Sequence, residues 1–166
     1  MLCEVRPASA DGQCLPGAMP VQQWHTVATG SSRPDAAAMA QKILIVDDSS
    51  VIRLQYRLVL EQAGYEVVEA WDAPQAAAHL KRQEIAFLLC DLNIPGKNGL
   101  TLIEAMRKVP KLASIPAVIF TAEYSAELVE RAKQAGVTSW LLKPCKADTL
   151  LELITKHVGP PAEGYD

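Results

Sequence analysis

The stretch KILIVD, residues 42–47, is a short apolar run that ends in an acid. The segment after it, residues 50–63, places apolar side chains at helical spacing on one face. Ser49 stands at the N-cap position of this helix, and Gly64 stands where a helix stops. An apolar strand followed directly by an amphipathic helix begins a β-α-β unit. The stretch therefore predicts an α/β fold.

The rest of the chain repeats this alternation of strands and helices. Further strands are predicted at YEVVEA (65–70), IAFLLCD (85–91), IPAVIFTA (115–122) and TSWLLK (138–143). Further helices are predicted over residues 73–82, 99–107, 126–136 and 147–158, and NIPGKNG (93–99) has the composition of a loop. Strands that are apolar throughout and separated by helices are typical of a parallel sheet covered on both faces. We therefore predict a doubly wound, five-stranded parallel sheet with helices on both faces.

The composition of the 166-residue chain changes near residue 40. The first 38 residues are rich in Pro, Gly, Ser and Ala and show no sustained periodicity. The last residues, GPPAEGYD, are too few for another domain. We predict a disordered N-terminal extension over residues 1–40, one folded domain over residues 41–159 and a flexible tail over residues 160–166.

Charge and hydropathy exclude several classes of partner. The net charge of −3 gives no argument for binding nucleic acid or an anionic membrane surface. The chain has no run of 18 apolar residues, and its N-terminus does not resemble a signal peptide. Its four cysteines have neither zinc-site nor CxxC spacing, which suits a reducing compartment. We expect a cytoplasmic protein with no nucleic-acid and no membrane partner.

The predicted strands end in polar residues of a particular kind. In a parallel sheet, chemistry gathers at the carboxyl ends of the strands, and those ends carry Asp47, Asp48, Asp91, Thr121 and Lys143. Helix capping is the simpler explanation of Asp47 or Asp48 taken alone. Three carboxylates brought together repel one another unless a positive charge lies among them. Mg²⁺ and Lys143 would supply such charge and Thr121 a hydroxyl donor, which is what phosphoryl transfer requires.

Four motifs extend this pattern over the folded part of the chain. They are ILIVDDSS (43–50) with the following Arg53, LLCDLNIPGKNG (88–99), VIFTAE (118–123) and WLLKPC (140–145). With these motifs in this order, residues 42–158 resemble the receiver domain of two-component response regulators. The resemblance implies a flavodoxin-like fold and a stand-alone receiver similar to the chemotaxis-type regulators. Such a protein is a phosphorylation switch that signals through protein contacts and is not an enzyme acting on external substrates.

The resemblance also assigns the acceptor and the metal ligands. Asp91 corresponds to the phospho-acceptor, which receives a phosphoryl group from a histidine kinase or a histidine phosphotransfer protein. The ligands of Mg²⁺ are expected to be Asp48, Asp91, the backbone carbonyl of Asn93, and Asp47 directly or through water. The downstream protein target is not implied.

Further roles follow from the same motifs. Lys143 is expected to pair with Asp91 and later with the phosphate, and Thr121 to bond a phosphoryl oxygen. Trp140 occupies the position of the switch aromatic, which is more commonly Tyr or Phe. The peptide bond between Lys143 and Pro144 is expected to be cis.

Two positions depart from the family pattern. Asn98 stands where the family usually has a second Asp before the glycine of the acceptor loop. Cys145 follows Lys-Pro, where an aromatic or a small polar residue is usual. The position of Asn98 is expected to serve the loop rather than the chemistry, and the departure at Cys145 implies nothing further.

The first helix carries apolar residues beyond those of its core face. Val51, Leu54 and Leu58 lie on another face, at spacing i, i+3 and i+7. Scattered surface aliphatics are common, but three on one face suggest an exposed patch for a partner. In the family, this end of the molecule docks with kinases and phosphotransfer domains.

Two other functions remain open at this point. A phosphatase of the haloacid dehalogenase type also uses an Asp nucleophile with Mg²⁺, but in a DxD pattern after the first strand and usually with a cap. Here the two acids are adjacent, and no segment has the length of a cap. A degenerate receiver that serves only as a scaffold is the other alternative, and the complete set of acids with Thr121 and Lys143 argues against it.

Overall fold

The computed structural model describes residues 40–161. Nearly all of the predicted N-terminal extension and most of the predicted tail therefore lie outside the described residues. In chain order the elements are β1 (Lys42–Val46), α1 (Ser50–Gln62), β2 (Glu66–Ala70), α2 (Ala73–Arg82), β3 (Phe87–Cys90), β4 (Asn93–Ile94), β5 (Lys97–Asn98), α3 (Gly99–Arg107), β6 (Ala117–Thr121), α4 (Ala126–Ala135), β7 (Ser139–Leu142) and α5 (Ala147–Val158).

Five strands form one parallel sheet in the order β2-β1-β3-β6-β7. At the carboxyl end of β1, Val46 lies beside Ala70 of β2 and Cys90 of β3. Because all five strands run in the same direction, their carboxyl ends form one edge of the sheet. The predicted five-stranded, doubly wound sheet of the flavodoxin-like type is confirmed.

Buried side chains form two layers, one on each face of the sheet. Leu44 and Val46 of β1 belong to the layer that includes side chains of α2, α3 and α4. Ile43 and Ile45 alternate with them and belong to the layer of α1 and α5. Covering both faces explains why the inner strands β1, β3 and β6 are apolar and buried along nearly their whole length. Within residues 40–161, no helix has the length and hydropathy to cross a membrane.

The helix bounds agree with the sequence prediction to within one residue, whereas the predicted strands extend one or two residues beyond the observed ones. Ser49 caps α1 by accepting a hydrogen bond from the N–H of Ile52, and Gly64 follows the helix with a φ of 95°. The prediction of a plain loop over residues 93–99 was wrong, since β4 and β5 form a short antiparallel hairpin there. Gly96, with a φ of 89°, makes the two-residue turn that allows this pairing.

Candidate functional site

Three carboxylates meet at the carboxyl edge of the sheet, as the parallel topology predicts. Asp47 and Asp48 follow β1, and Asp91 follows the neighbouring strand β3. One oxygen from each side chain lies within 4.8 Å of the other two. Asp47 is buried, Asp91 is intermediate and Asp48 is exposed. The cluster therefore opens towards solvent on the side of Asp48 and Asp91.

Lys143 joins two of these carboxylates. Its Nζ lies 2.5 Å from Oδ2 of Asp47 and 3.0 Å from Oδ2 of Asp91. The pairing with Asp91 was expected, whereas the shorter contact with Asp47 was not. Burial lowers the pKa of Lys143, but the hydrogen bonds and charges of the two carboxylates raise it by more, so that the ammonium is stabilised.

Asp47 is held by donors on both of its carboxylate oxygens. Oδ1 accepts a hydrogen bond of 2.8 Å from the N–H of Ser49, and Oδ2 accepts the one from Lys143. Burial raises the pKa of Asp47, and the hydrogen bonds from Lys143 and Ser49 lower it by less. The guanidinium of Arg53 donates to the backbone carbonyl of Asp47 at 2.6 Å. Asp47 is thus a fixed, buried acid, and the exposed Asp48 is the more accessible member of the pair.

Shortly after Asp91, β4 is joined by a side-chain hydrogen bond to the loop that follows β6. Thr121 is 2% exposed, and its Oγ1 accepts a hydrogen bond from the N–H of Glu123 at 3.2 Å. The side chain of Asn93 donates to Glu123 Oε1 at 2.5 Å. Glu123 was not predicted from the sequence, because an exposed acid in a loop belongs to no periodic pattern. Its place in the motif VIFTAE was the signal that could have identified it. The expected role of the Asn93 carbonyl as a metal ligand stays a prediction.

Gly99 fixes the backbone at the end of β3. A Cβ at this position would lie 2.2 Å from the backbone oxygen of Asp91 and 3.1 Å from Sγ of Cys90. The N–H of Gly99 donates to the carbonyl of Leu92 at 2.8 Å. Only glycine permits this approach, so the start of α3 lies directly against the strand end that carries Asp91.

The expected switch aromatic lies inside the protein. Trp140 is 0% exposed and pairs with Ile119 in the sheet, within the layer covered by α4. The ring of Trp140 therefore lies wholly inside the protein, and its role as the switch aromatic stays a prediction. Among the described residues, no hydrogen-bond partner is found for its Nε1. The peptide bond between Lys143 and Pro144, just after this strand, is cis.

The predicted apolar patch on α1 is exposed. Val51 is 71% exposed, Leu54 47% and Leu58 48%. Trp71, which directly follows β2, is also exposed, at 54%, and the sequence analysis did not single it out. Large exposed apolar side chains therefore lie on α1 and directly after β2.

The donor set of the cluster suits a hard divalent cation. All three side chains offer carboxylate oxygens, which Mg²⁺ prefers, and three carboxylates outnumber the one ammonium of Lys143. The uncompensated negative charge would be relieved by a cation. The site can therefore combine a metal ion, a fixed ammonium and a partly accessible carboxylate, Asp91.

Comparison with known proteins agrees with this geometry. Residues 43–155 match the family described as the response regulator receiver domain. The chain is 37% identical to the chemotaxis protein CheY-3 of Vibrio cholerae over 116 residues, which are 69% of this chain and 89% of that protein. The structure of the chemotaxis response regulator CheY4 of Vibrio cholerae superposes with a TM-score of 0.67 at 33% identity, covering 71% of this chain and 98% of that one.

A third relative has a metal in the corresponding kind of domain. It is the receiver domain of the sensor histidine kinase PA1611 of Pseudomonas aeruginosa, with a TM-score of 0.68 and 27% identity, covering 73% of this chain and 99% of that one. That structure has a magnesium ion coordinated in the active site cleft. Sequence match, fold and acidic cluster agree, and the chain therefore belongs to the response regulator receiver domain family, the phosphorylation-dependent switches of two-component signalling.

Proposed function

We propose that Asp91 accepts a phosphoryl group from a phosphohistidine on a histidine kinase or a histidine phosphotransfer protein. The observation that carries this proposal is the ammonium of Lys143, which lies 3.0 Å from Asp91 Oδ2 while Asp91 remains partly accessible. One oxygen of Asp91 attacks phosphorus, the phosphorus–nitrogen bond of the donor breaks, and an acyl phosphate forms on Asp91. Positioning and charge neutralisation are what such a transfer needs.

The neighbouring side chains have distinct roles in this step. Lys143 is held by the buried Asp47, so its charge is in place before the phosphoryl group arrives. The hydroxyl oxygen of Thr121 accepts from the N–H of Glu123, which leaves its proton free to bond a phosphoryl oxygen. Asp48, Asp91 and the Asn93 carbonyl would hold Mg²⁺, with Asp47 acting through water because its oxygens already accept hydrogen bonds. The metal would offset charge on the carboxylates and the phosphoryl group.

The same site acts on no external substrate in this proposal. The protein promotes only its own phosphorylation and dephosphorylation and signals through contacts with a further protein. In a haloacid dehalogenase the nucleophile follows the first strand. Here Asp91 follows β3, and of the two acids bonded to Lys143 it is the more accessible one. That position favours the receiver over the phosphatase. The presence of all three acids together with Thr121 and Lys143 favours a working switch over a scaffold.

The exposed patch Val51, Leu54 and Leu58 is proposed to dock the phosphodonor. It lies on α1, whose first turn directly follows Asp48, so a partner seated on α1 would be close to the acidic cluster. The protein is proposed to act in the cytoplasm, where the kinase domains of such systems supply the phosphoryl group.

Intact mass after incubation with acetyl phosphate and Mg²⁺ tests the proposed acceptor. Wild type is expected to gain one phosphoryl group. Asp91→Asn is expected not to be phosphorylated at a rate comparable to that of wild type. Labelling of Asp91→Asn at the wild-type rate would show that the acceptor is a different residue. Steady hydrolysis of a phosphate monoester would favour the phosphatase instead.

A further inference from the structure

Lys143 has a second support besides the two carboxylates. Its Nζ lies 5.3 Å from the centroid of the Phe120 ring. An ammonium within about 6 Å of an aromatic ring is attracted to the face of that ring. A lysine side chain has several rotatable bonds, so a platform under its ammonium restricts where the charge can lie. The ring of Phe120 therefore limits the positions that the Lys143 ammonium can take.

The Phe120 ring is held in turn by a residue of α1. Tyr56 meets it edge to face, with ring centroids 4.8 Å apart and an interplanar angle of 86°. Both rings are 2% exposed and belong to the layer of α1 and α5. Tyr56 thus fixes the orientation of the ring over which the ammonium lies.

The hydroxyl of Tyr56 reaches the turn that begins with Lys143. It donates to the backbone carbonyl of Cys145 at 3.3 Å and accepts from the N–H of the same residue at 3.4 Å. These bonds are long, but both join one hydroxyl to one residue two positions after Lys143. Burial raises the pKa of the Tyr56 phenol, so it remains a neutral group that can donate and accept at once.

We propose that Tyr56 is a positioning residue for Lys143, holding its ammonium through the Phe120 ring and its backbone through Cys145. The inference rests on the proposed role of Lys143 in phosphoryl transfer to Asp91. The hydrogen bonds of Tyr56 go to Cys145 and its ring contact to Phe120, and none of them goes to a carboxylate of the cluster, which favours an action through Lys143. Tyr56 is a buried residue, and a role in the core alone would not link it to the rate of transfer.

Tyr56→Phe removes the two hydrogen bonds and keeps the ring. We expect it to slow phosphorylation by acetyl phosphate about two- to tenfold, the effect of losing ordinary hydrogen bonds. Tyr65→Phe is the matched control, because Tyr65 is also a buried tyrosine, 3% exposed, whose hydroxyl makes hydrogen bonds of 3.0 Å to Thr155 Oγ1 and to the Gly159 carbonyl. It precedes β2, at the opposite edge of the sheet, and its rate is expected to be that of wild type.

A double-mutant cycle separates positioning from a general loss of stability. If Tyr56 acts through Lys143, then Tyr56→Phe slows the wild type but has no further effect on the slow phosphorylation of Lys143→Met. A second readout is the ¹⁵Nζ resonance of Lys143, which should shift in Tyr56→Phe and stay in place in Tyr65→Phe.

Two results would overturn the inference. One is an equal slowing by Tyr56→Phe in the wild-type and the Lys143→Met backgrounds. The other is a wild-type rate and an unshifted Lys143 resonance in Tyr56→Phe. The acceptor is tested apart from this, because labelling of Asp91→Asn at the wild-type rate would refute the proposed function whatever Tyr56 does.

Discussion

At the scale of single residues, the two adjacent acids of the site, Asp47 and Asp48, have different environments. Asp47 is buried and both of its oxygens accept hydrogen bonds, whereas Asp48 is exposed. The sequence placed both at the end of β1, because strand ends follow from the apolar pattern. It could not assign Lys143 to Asp47 as well as to Asp91, since Asp47 and Lys143 follow β1 and β7, which are separated in the sheet by β3 and β6, and their contact depends on side-chain conformation.

Asp48→Asn should weaken Mg²⁺ binding at least about tenfold, as expected for the loss of a charged ligand. Titration calorimetry at fixed ionic strength measures this affinity. Glu84→Gln, which neutralises an exposed acid outside the cluster, is the control and should bind Mg²⁺ like wild type. Equal affinities in Asp48→Asn and wild type would place the metal elsewhere.

For Trp140, the position in the motif WLLKPC could be predicted from the sequence, and the conformation of the side chain could not. The structure places the indole wholly inside, beside the strand that carries Thr121. The inward position of the ring could therefore not be read from the motif.

At the scale of elements, the helices were more predictable than the strands. The predicted bounds of α2, α3 and α5 agree with the structure, and α2 and α3 begin at side-chain caps, Asp72 and Asn98. β6 begins at Ala117 although its apolar run begins at Ile115. Pro116 lacks an N–H for the ladder, so the run is longer than the strand.

The patch on α1 gives a prediction at the same scale. Replacing Leu54 and Leu58 by glutamine should leave labelling by acetyl phosphate unchanged, since both side chains are about half exposed and lie outside the core. Transfer from the cognate histidine kinase, identified by profiling the host's kinases, should slow about tenfold or more through loss of apolar contact. Gln55→Ala, another exposed position on α1, is the matched control. Unchanged kinase transfer in the double variant would leave the patch without a role.

At the scale of the whole molecule, the parallel topology of the sheet was the main basis for predicting where the site lies. Once five strands were assigned to one parallel sheet, Asp47, Asp91 and Lys143 had to approach one another at its carboxyl edge. Contacts that depend on how the helices pack on the sheet could not be predicted from the sequence. The approach of the Tyr56 hydroxyl to Cys145 joins residues 89 positions apart and depends on how α1 lies on the sheet.

The domain boundary is a prediction for the whole chain. A chain that starts at Met39 should accept phosphate at the wild-type rate and unfold at the same temperature, because the described fold contains both apolar layers within residues 40–161. Thermal unfolding and acetyl phosphate labelling of the two chains measure this. A lower unfolding temperature on truncation would show that the N-terminal residues stabilise the domain.

The central claim is that Asp91 carries the phosphoryl group, and chemical mapping tests it most directly. An acyl phosphate on aspartate is reduced by borohydride to homoserine, which peptide mass spectrometry locates. After labelling with acetyl phosphate and Mg²⁺, we expect homoserine at position 91 alone. Homoserine at position 47 or 48, or a labelled protein in which position 91 stays aspartate, would contradict the account.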